Sequence, residues 1–232
     1  NFIGVFDGHG GKMVSKFLKE NLPKYILKKT DINIYQQKSA VTSRFFSKLF
    51  DKLQNQLISE HPIVSKRCGS TSLCGVMYKD KLERNMIWLA NIGDSRAVLF
   101  NRKNIAVPLT VDHKPNTPTE KKRIEKLGGK IKFDGADWRI GDLSLSRAVG
   151  DLDNTPYVIH KPEVFRYKLN KNDKFIIFAC DGLWDVLSNT EACTFVDNMI
   201  TAKYHGNIAK KLGEYAIKRG SYDNVTVSLL FL

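Results

Sequence analysis

The 232-residue sequence has no uninterrupted apolar run long enough to cross a bilayer, which excludes a membrane-spanning helix within it. It also lacks internal repeats, low-complexity segments and linkers, so its length reads as a single domain with a substantial core. Cysteine is sparse: Cys68, Cys74, Cys180 and Cys193 form no CxxC, and no Cys/His pairs stand at zinc-finger spacing. Three of the four lie in apolar strand or helix patterns, so they are expected to be reduced, mostly buried thiols of an intracellular protein, cytoplasmic or nuclear. Acid is the minority charge, 24 Asp and Glu against 37 Lys and Arg, for a formal charge of +13. The basic excess is dispersed, as at Lys12, Lys16 and Lys19, at Lys121, Lys122 and Arg123, and at Lys210, Lys211 and Lys218, mostly on polar helix faces. No aromatics interleave it to stack bases, so no specific nucleic-acid site is expected, only a basic exterior that attracts anionic partners.

What the sequence does have is a set of acids at strand ends. The opening Asn1-Phe2-Ile3-Gly4-Val5-Phe6 is an apolar run of strand length that stops at Asp7-Gly8-His9-Gly10-Gly11. Glycines on both sides of His9 allow close backbone approach, so Asp7, the Gly8 carbonyl and the His9 ring can face one small volume. Two more apolar runs end alike: Met86 to Ile92 enters Gly93-Asp94, and Lys174 to Cys180 enters Asp181-Gly182. Asp223 directly precedes the run from Asn224 to Leu230, so it is expected at a strand start. In an antiparallel sheet, one strand's end lies beside its neighbour's start, so all four acids can meet at one edge. Crowded carboxylates repel one another unless a cation joins them, and oxygen donors without Cys/His pairs favour Mg²⁺ or Mn²⁺ over zinc.

Met13, Val14, Phe17, Leu18 and Leu22 share one face of a first helix, and Val41, Phe45, Phe46, Leu49, Leu53 and Leu57 mark a second. Short strands with tight turns follow from Gly69 to about Asn104, too closely spaced for crossover helices, so their pairing is expected to be antiparallel. Residues 112–142 break this rhythm with a short helix at about 119–127, stopped by Gly128-Gly129, and two short strands around Asp134-Gly135. That excursion is expected to sit as a flap beside the acid-lined rim. Leu143 to Arg147 is expected to rejoin the sheet, and Asp151 and Asp153 are read as loop solvation. Ser188-Asn189-Thr190-Glu191 has capping-box spacing before a helix, and another helix runs over about 207–219. Helix pairs alternating with strand runs give an α+β class: two antiparallel sheets packed together, each with a helix pair outside.

The ordered segments resemble the metal-dependent Ser/Thr protein phosphatases of type 2C. They are Val5-Phe6-Asp7-Gly8-His9-Gly10-Gly11, Cys68-Gly69-Ser70-Thr71, Ala90-Asn91-Ile92-Gly93-Asp94-Ser95-Arg96-Ala97 and Asp112-His113-Lys114-Pro115. Leu145-Ser146-Arg147-Ala148-Val149-Gly150-Asp151, Ala179-Cys180-Asp181-Gly182-Leu183-Trp184-Asp185-Val186 and Asp223-Asn224-Val225-Thr226 complete the set in family order. The resemblance implies a four-layer αββα sandwich and hydrolysis of phosphoserine and phosphothreonine in protein substrates by a water or hydroxide between two Mn²⁺ or Mg²⁺ ions. It implies that Asp7 bridges the ions, the Gly8 carbonyl binds one, Asp181 and Asp223 complete the other, and Asp94 and Asp185 hold a weaker third. His9 matches the general acid that protonates the leaving oxygen. No cysteine sits in a CX₅R loop, so none is read as a nucleophile, and Cys180 is read as core packing.

The family also carries an Arg that grips phosphate and a Glu that supports the second metal on a strand before DGHGG. The sequence begins after that position, so the catalytic domain is expected to be N-terminally incomplete and, as it stands, to turn over little substrate. Three competitors remain open: a basic nucleic-acid binder, of which only weak, steeply salt-dependent association is expected, and two others. One is a catalytically impaired phosphatase-like binding module. The other is a haloacid-dehalogenase-type hydrolase with Asp7 as nucleophile, which expects Asp where His9 stands and a parallel sheet with helical crossovers.

Overall fold

The structure, a computed structural model, describes residues 1–30, 43–80 and 82–232; Val41, assigned above to the second helix, lies outside them. In chain order it begins β1 (Phe2–Val5), β2 (Gly8–His9), α1 (Met13–Thr30), α2 (Ser43–Glu60) and α3 (Val64–Arg67). Then come β3 (Gly69–Ser70), β4 (Ser72–Lys79), β5 (Asn85–Ile92), β6 (Arg96–Asn101) and β7 (Ala106–Pro108). The middle holds α4 (Pro118–Lys126), β8 (Lys132–Phe133), β9 (Trp138–Arg139) and β10 (Val149–Gly150). The chain closes with β11 (Glu163–Lys168), β12 (Asp173–Ala179), α5 (Asp181–Trp184), α6 (Asn189–Thr201), α7 (Ile208–Lys218) and β13 (Val227–Phe231).

Two four-stranded antiparallel sheets, ordered β1-β4-β5-β11 and β13-β12-β6-β7, form the middle of the molecule. Three apolar clusters follow from the period-two alternation of their strands. In β12, Ile176 and Phe178 face the opposite sheet with Val5, Leu73, Leu89 and Leu99, while Phe175 and Ile177 face outward among Leu212, Ala216 and Val196 of α6 and α7. In β4 and β5, Cys74, Val76, Ala90 and Ile92 meet Leu18, Leu22, Phe46, Phe50 and Leu53 of α1 and α2. Three cores between four layers make the αββα sandwich that the order of helices and strands implies.

The helices bury the faces their spacing marks, although Met13, at the first position of α1, is exposed. At the start of α6, the Glu191 amide donates to Ser188 Oγ at 3.2 Å and the Ser188 amide donates to Glu191 Oε2 at 2.9 Å. That is the capping box, a device worth about 1 kcal/mol.

Ladder register brings the strand ends to one rim. Val5 at the end of β1 pairs with Leu73, which pairs with Asn91 near the end of β5. In the other sheet, Ala179 at the end of β12 pairs with both Arg96 and Val227, the first residues of β6 and β13. β1 packs against β12 and β13, so the two rims coincide.

Three expectations are corrected. Leu143 to Arg147 does not rejoin a main sheet: it makes isolated bridges, Ile140 with Leu143 and Arg147 with Ile159, and its apolar residues join a fourth cluster of Ile124, Ile140, Leu145, Ala148 and Val158. Asp223 is not at a strand start, since β13 begins at Val227 and Asp223 lies in the preceding loop. Asp151 is not solvated: its side chain is 1% exposed and pairs with His9, whereas Asp153 is indeed exposed.

Candidate metal centre

Asp7 follows β1 directly and its backbone is clamped from two directions. Its amide donates to Thr71 Oγ1 at 3.1 Å, and the Thr71 amide donates to its carbonyl at 2.8 Å. Thr71 Oγ1 in turn lies 2.8 Å from Ser95 Oγ, on the turn that carries Asp94. Asp181 opens α5, whose Trp184 Nε1 donates to the Ala179 carbonyl at 3.0 Å and so folds the turn back on β12. Gly8 is exposed beside Asp7 and pairs with Ser70; a Cβ there would come within 2.6 Å of Ser15 Oγ.

The carboxyls of Asp7 and Asp181 lie close together and act on each other's ionisation. One ligand atom each from Asp7, Cys180 and Asp181 lies within 4.8 Å of the others. Burial first, then the charge of Asp94 and the contact with Asp7, pushes the Asp181 carboxyl up to about 8. Burial and the charges of Asp223 and Asp94 raise Asp7 too, against the opposite pull of Asp181. Asp185 is raised by partial burial and by Asp94, Asp137 and Asp223, with Lys114 acting against the shift.

Five of the expected acids, Asp7, Asp94, Asp181, Asp185 and Asp223, therefore share one electrostatic neighbourhood. Asp185 and Asp223 also line a common recess of about 410 Å³ with Gly182, Ser221 and Tyr222. Asp223 itself is exposed on its loop, which Ser221 pins by donating from Oγ to the Gly182 carbonyl at 2.7 Å.

His9 stands apart from the five carboxyls, with Nε2 2.5 Å from Asp151 Oδ2, yet near enough for its charge to act on Asp7.

The donor set of this cluster suits a divalent cation. Among the described residues, Asp181 Oδ1 is buried with no hydrogen-bond partner, and buried Asp94 Oδ2 has only an ion pair, 3.1 Å from Lys114 Nζ. Buried carboxylate oxygens left open at such cost fit a hard cation. The thiol of Cys180 does not compete: burial pushes it up to about 11, its Sγ donates to the Asn224 carbonyl at 3.2 Å, and it accepts from the Thr226 amide at 3.2 Å. Cys180 is thus both core filler and a brace for the Asp223 loop, a second role its apolar setting in the sequence did not signal.

Three further residues escaped the sequence reading. Lys114 and Asp137, from the 112–142 excursion, act on Asp185, and Asp151 holds His9. Lys114 sits inside the Asp112-His113-Lys114-Pro115 segment, whose order was legible without its roles. Arg96 Nε and Nη2 grip Asp112 at 3.0 and 2.6 Å, and the Gly93 amide donates to His113 Nδ1 at 3.1 Å, so the segment is tied to the Asp94 turn.

The family model described as Protein phosphatase 2C matches residues 1–225. A PP2C-like domain-containing protein of Acanthamoeba polyphaga mimivirus is 51% identical over 64% of this chain and 96% of its own length. A probable protein phosphatase 2C of Arabidopsis thaliana is 39% identical over 97% of this chain, which spans 56% of that protein. Among solved structures, a C. elegans sex determining protein superposes with a TM-score of 0.86 at 26% identity, over 99% of this chain and 56% of its own. A Toxoplasma gondii phosphatase superposes at 0.81 and 26% identity, over 99% of this chain and 84% of its own. The family model spans nearly the whole chain and the fold agrees with these structures, so the chain belongs to the protein phosphatase 2C family.

Proposed function

We propose that the protein hydrolyses phosphoserine and phosphothreonine in protein substrates at the rim that joins Asp7 to Asp181. Asp7, the Gly8 carbonyl, Asp181 and Asp223 would hold a pair of Mg²⁺ or Mn²⁺ ions, and Asp94 and Asp185 a weaker third. The chemistry such ions supply is a lowered pKa for water and neutralisation of phosphoryl charge. The protein's own part is to crowd carboxylates until only cations relieve them, and to offer the His9 ring as proton donor to the departing seryl or threonyl oxygen. Residues 112–142 are assigned as a flap of a single catalytic domain, because Lys114 and Asp137 reach the Asp185 side of the cluster. The basic exterior, at +13, favours approach of phosphorylated proteins.

The observation that carries this reading is the Asp7–Asp181 contact together with the orphaned Asp181 Oδ1. Phosphate release from a phosphothreonine peptide by the full-length protein, with Mn²⁺ or EDTA and with Asp181→Asn beside the wild type, tests it. Metal-dependent turnover abolished by the substitution is expected. Equal rates in EDTA would overturn the mechanism, and retention of the peptide without any release would mark a phosphatase-like binding module instead.

A further inference from the structure

We infer that Asp151 is the residue that positions the His9 ring for proton delivery, an assignment that rests on the phosphatase reading above. His9 Nε2 lies 2.5 Å from Asp151 Oδ2, and the Asp151 side chain is 1% exposed against 28% for His9. An ionised carboxylate only accepts, so Nε2 carries the hydrogen. Nδ1 then has no hydrogen-bond partner among the described residues and is the nitrogen left to face a substrate. A buried carboxylate that fixes one ring nitrogen sets both the tautomer and the plane of an imidazole.

The surroundings of this pair are arranged for the contact. Asp151 adopts the left-handed conformation, with φ +50°, which few residues other than Gly, Asn and Asp take readily. Gly150 before it has φ +90°, and a Cβ there would overlap the Cys68 carbonyl. A Cβ on Gly69 would overlap both Asp151 Oδ2 and His9 Nε2, so the strand opposite His9 is kept bare where the pair meets. Gln54, buried on α2, accepts from the Gly150 amide at 2.9 Å and donates to the Gly150 carbonyl at 3.4 Å. The Asp151 amide donates to the Cys68 carbonyl at 3.1 Å. Asp151 is therefore held by a helix and a strand distant in the chain, and through it His9 is too.

In the hydrolysis, a water oxygen bonds to phosphorus as the bond from phosphorus to the seryl or threonyl oxygen breaks. The ring, protonated on both nitrogens, gives its Nδ1 proton to the leaving oxygen and is left as the Nε2–H tautomer, the proton shed by the attacking water goes to solvent, and Nδ1 is reprotonated from solvent. Asp151 keeps its hold on the Nε2 hydrogen throughout. It touches neither substrate nor phosphate, so it is a positioning residue.

The role is read from dependence on the leaving group. Asp151→Asn keeps the side-chain size and tolerates the left-handed backbone, and its melting temperature should match the wild type within a few degrees. With a phosphothreonine peptide in Mn²⁺, kcat is expected to fall about 10²-fold, at the low end for loss of general acid catalysis. With p-nitrophenyl phosphate, whose phenolate departs without a proton, kcat should stay within about threefold. His9→Ala with Asp151→Asn should be no slower than His9→Ala alone. Equal slowing of both substrates, unchanged peptide turnover, or multiplying effects in the double variant would each overturn the assignment.

The ring is also observable without turnover, by long-range ¹H–¹⁵N correlation of His9. The Nε2–H tautomer is expected in the wild type, and a mixture in Asp151→Asn. An inactive full-length wild type with the Nε2–H ring would overturn the phosphatase reading while the pair stands. An active wild type with the Nδ1–H ring would overturn the pair and leave that reading intact.

Discussion

Asp7 and Asp181, at the ends of strands in different sheets, bring their carboxyls within 4.8 Å of each other at the rim where the sheets meet. Without a cation, Asp7 makes Asp181 harder to ionise and burial raises both, so the rim is a source of instability as well as the proposed seat of activity. Asp181→Asn removes one acid and supplies a donor to Asp7. In EDTA this variant should melt above the wild type, by roughly 2–4 °C for each kcal/mol gained in a chain of this size. Excess Mn²⁺ should raise the wild-type melting temperature and move the variant far less, because a ligand that binds only the folded state stabilises by mass action. Calorimetry of both proteins in both conditions reads the crossing. A variant that melts lower than the wild type in EDTA would mean that the two carboxyls are not in conflict.

The same pair gives metal-free stability a pH dependence of definite sign. The Asp181 carboxyl stays protonated in the folded protein up to about 8, while its ordinary value is 3.8. Between those values the folded state holds a proton that the unfolded chain has released, so stability from this group is intact below pH 3.8 and falls as pH climbs towards 8. Urea midpoints in EDTA should therefore decline from pH 5 to pH 8. With saturating Mn²⁺ the decline should flatten, since the carboxylate is then ionised in the folded state as well.

Lys114 and a divalent cation compete for the same acid. Its Nζ is 3.1 Å from Asp94 Oδ2, whose side chain is 3% exposed. Partial burial works against the ammonium, but Asp94, Asp185 and Asp137 keep it protonated beyond its usual range. Lys114→Met removes the ion-pair partner of the buried Asp94 and leaves only the more distant charge of Arg96. The variant should be less stable in EDTA yet bind Mn²⁺ several-fold more tightly at the Asp94–Asp185 side, which titration calorimetry would resolve. Unchanged affinity would show that the ammonium and the ion do not meet.

Much of this site was legible because it depends on where apolar runs stop. Asp7, Asp94 and Asp181 each close a strand, and period-two alternation with tight turns was enough to place those ends together. Asp151 was not legible, since its burial depends on a left-handed backbone and a bare Gly69 across the strand, neither visible as a pattern. Leu143 to Arg147 misled for a related reason. Its alternating Leu143 and Leu145 serve the cluster around Ile124 and Val158, so the period is real but its partner is not a sheet. The strand after Asp223 begins later than its apolar run because the intervening Asn224 and Thr226 are tied to Cys180.

A buried carboxylate outside the rim should govern acid resistance. Glu120, on α4, is 2% exposed in its side chain and receives Arg147 Nη2 at 2.6 Å, Arg123 Nη2 at 2.8 Å and Ser146 Oγ at 2.9 Å. Burial works against its charge, but the hydrogen bonds from Arg147 and Arg123 prevail and hold it down at about 2, below its ordinary 4.5. A depressed folded value means that this stability is full above pH 4.5 and is lost as pH falls towards 2. Glu120→Gln keeps the shape but leaves two guanidinium groups without their counter-charge, at a cost of roughly 2–4 kcal/mol at pH 7. That should lower the melting temperature by about 5–10 °C. Urea midpoints measured from pH 6 down to pH 3 should show the wild-type advantage narrowing below pH 4.5. A gap that stays constant over that range would mean that Glu120 stabilises this region by packing rather than by charge.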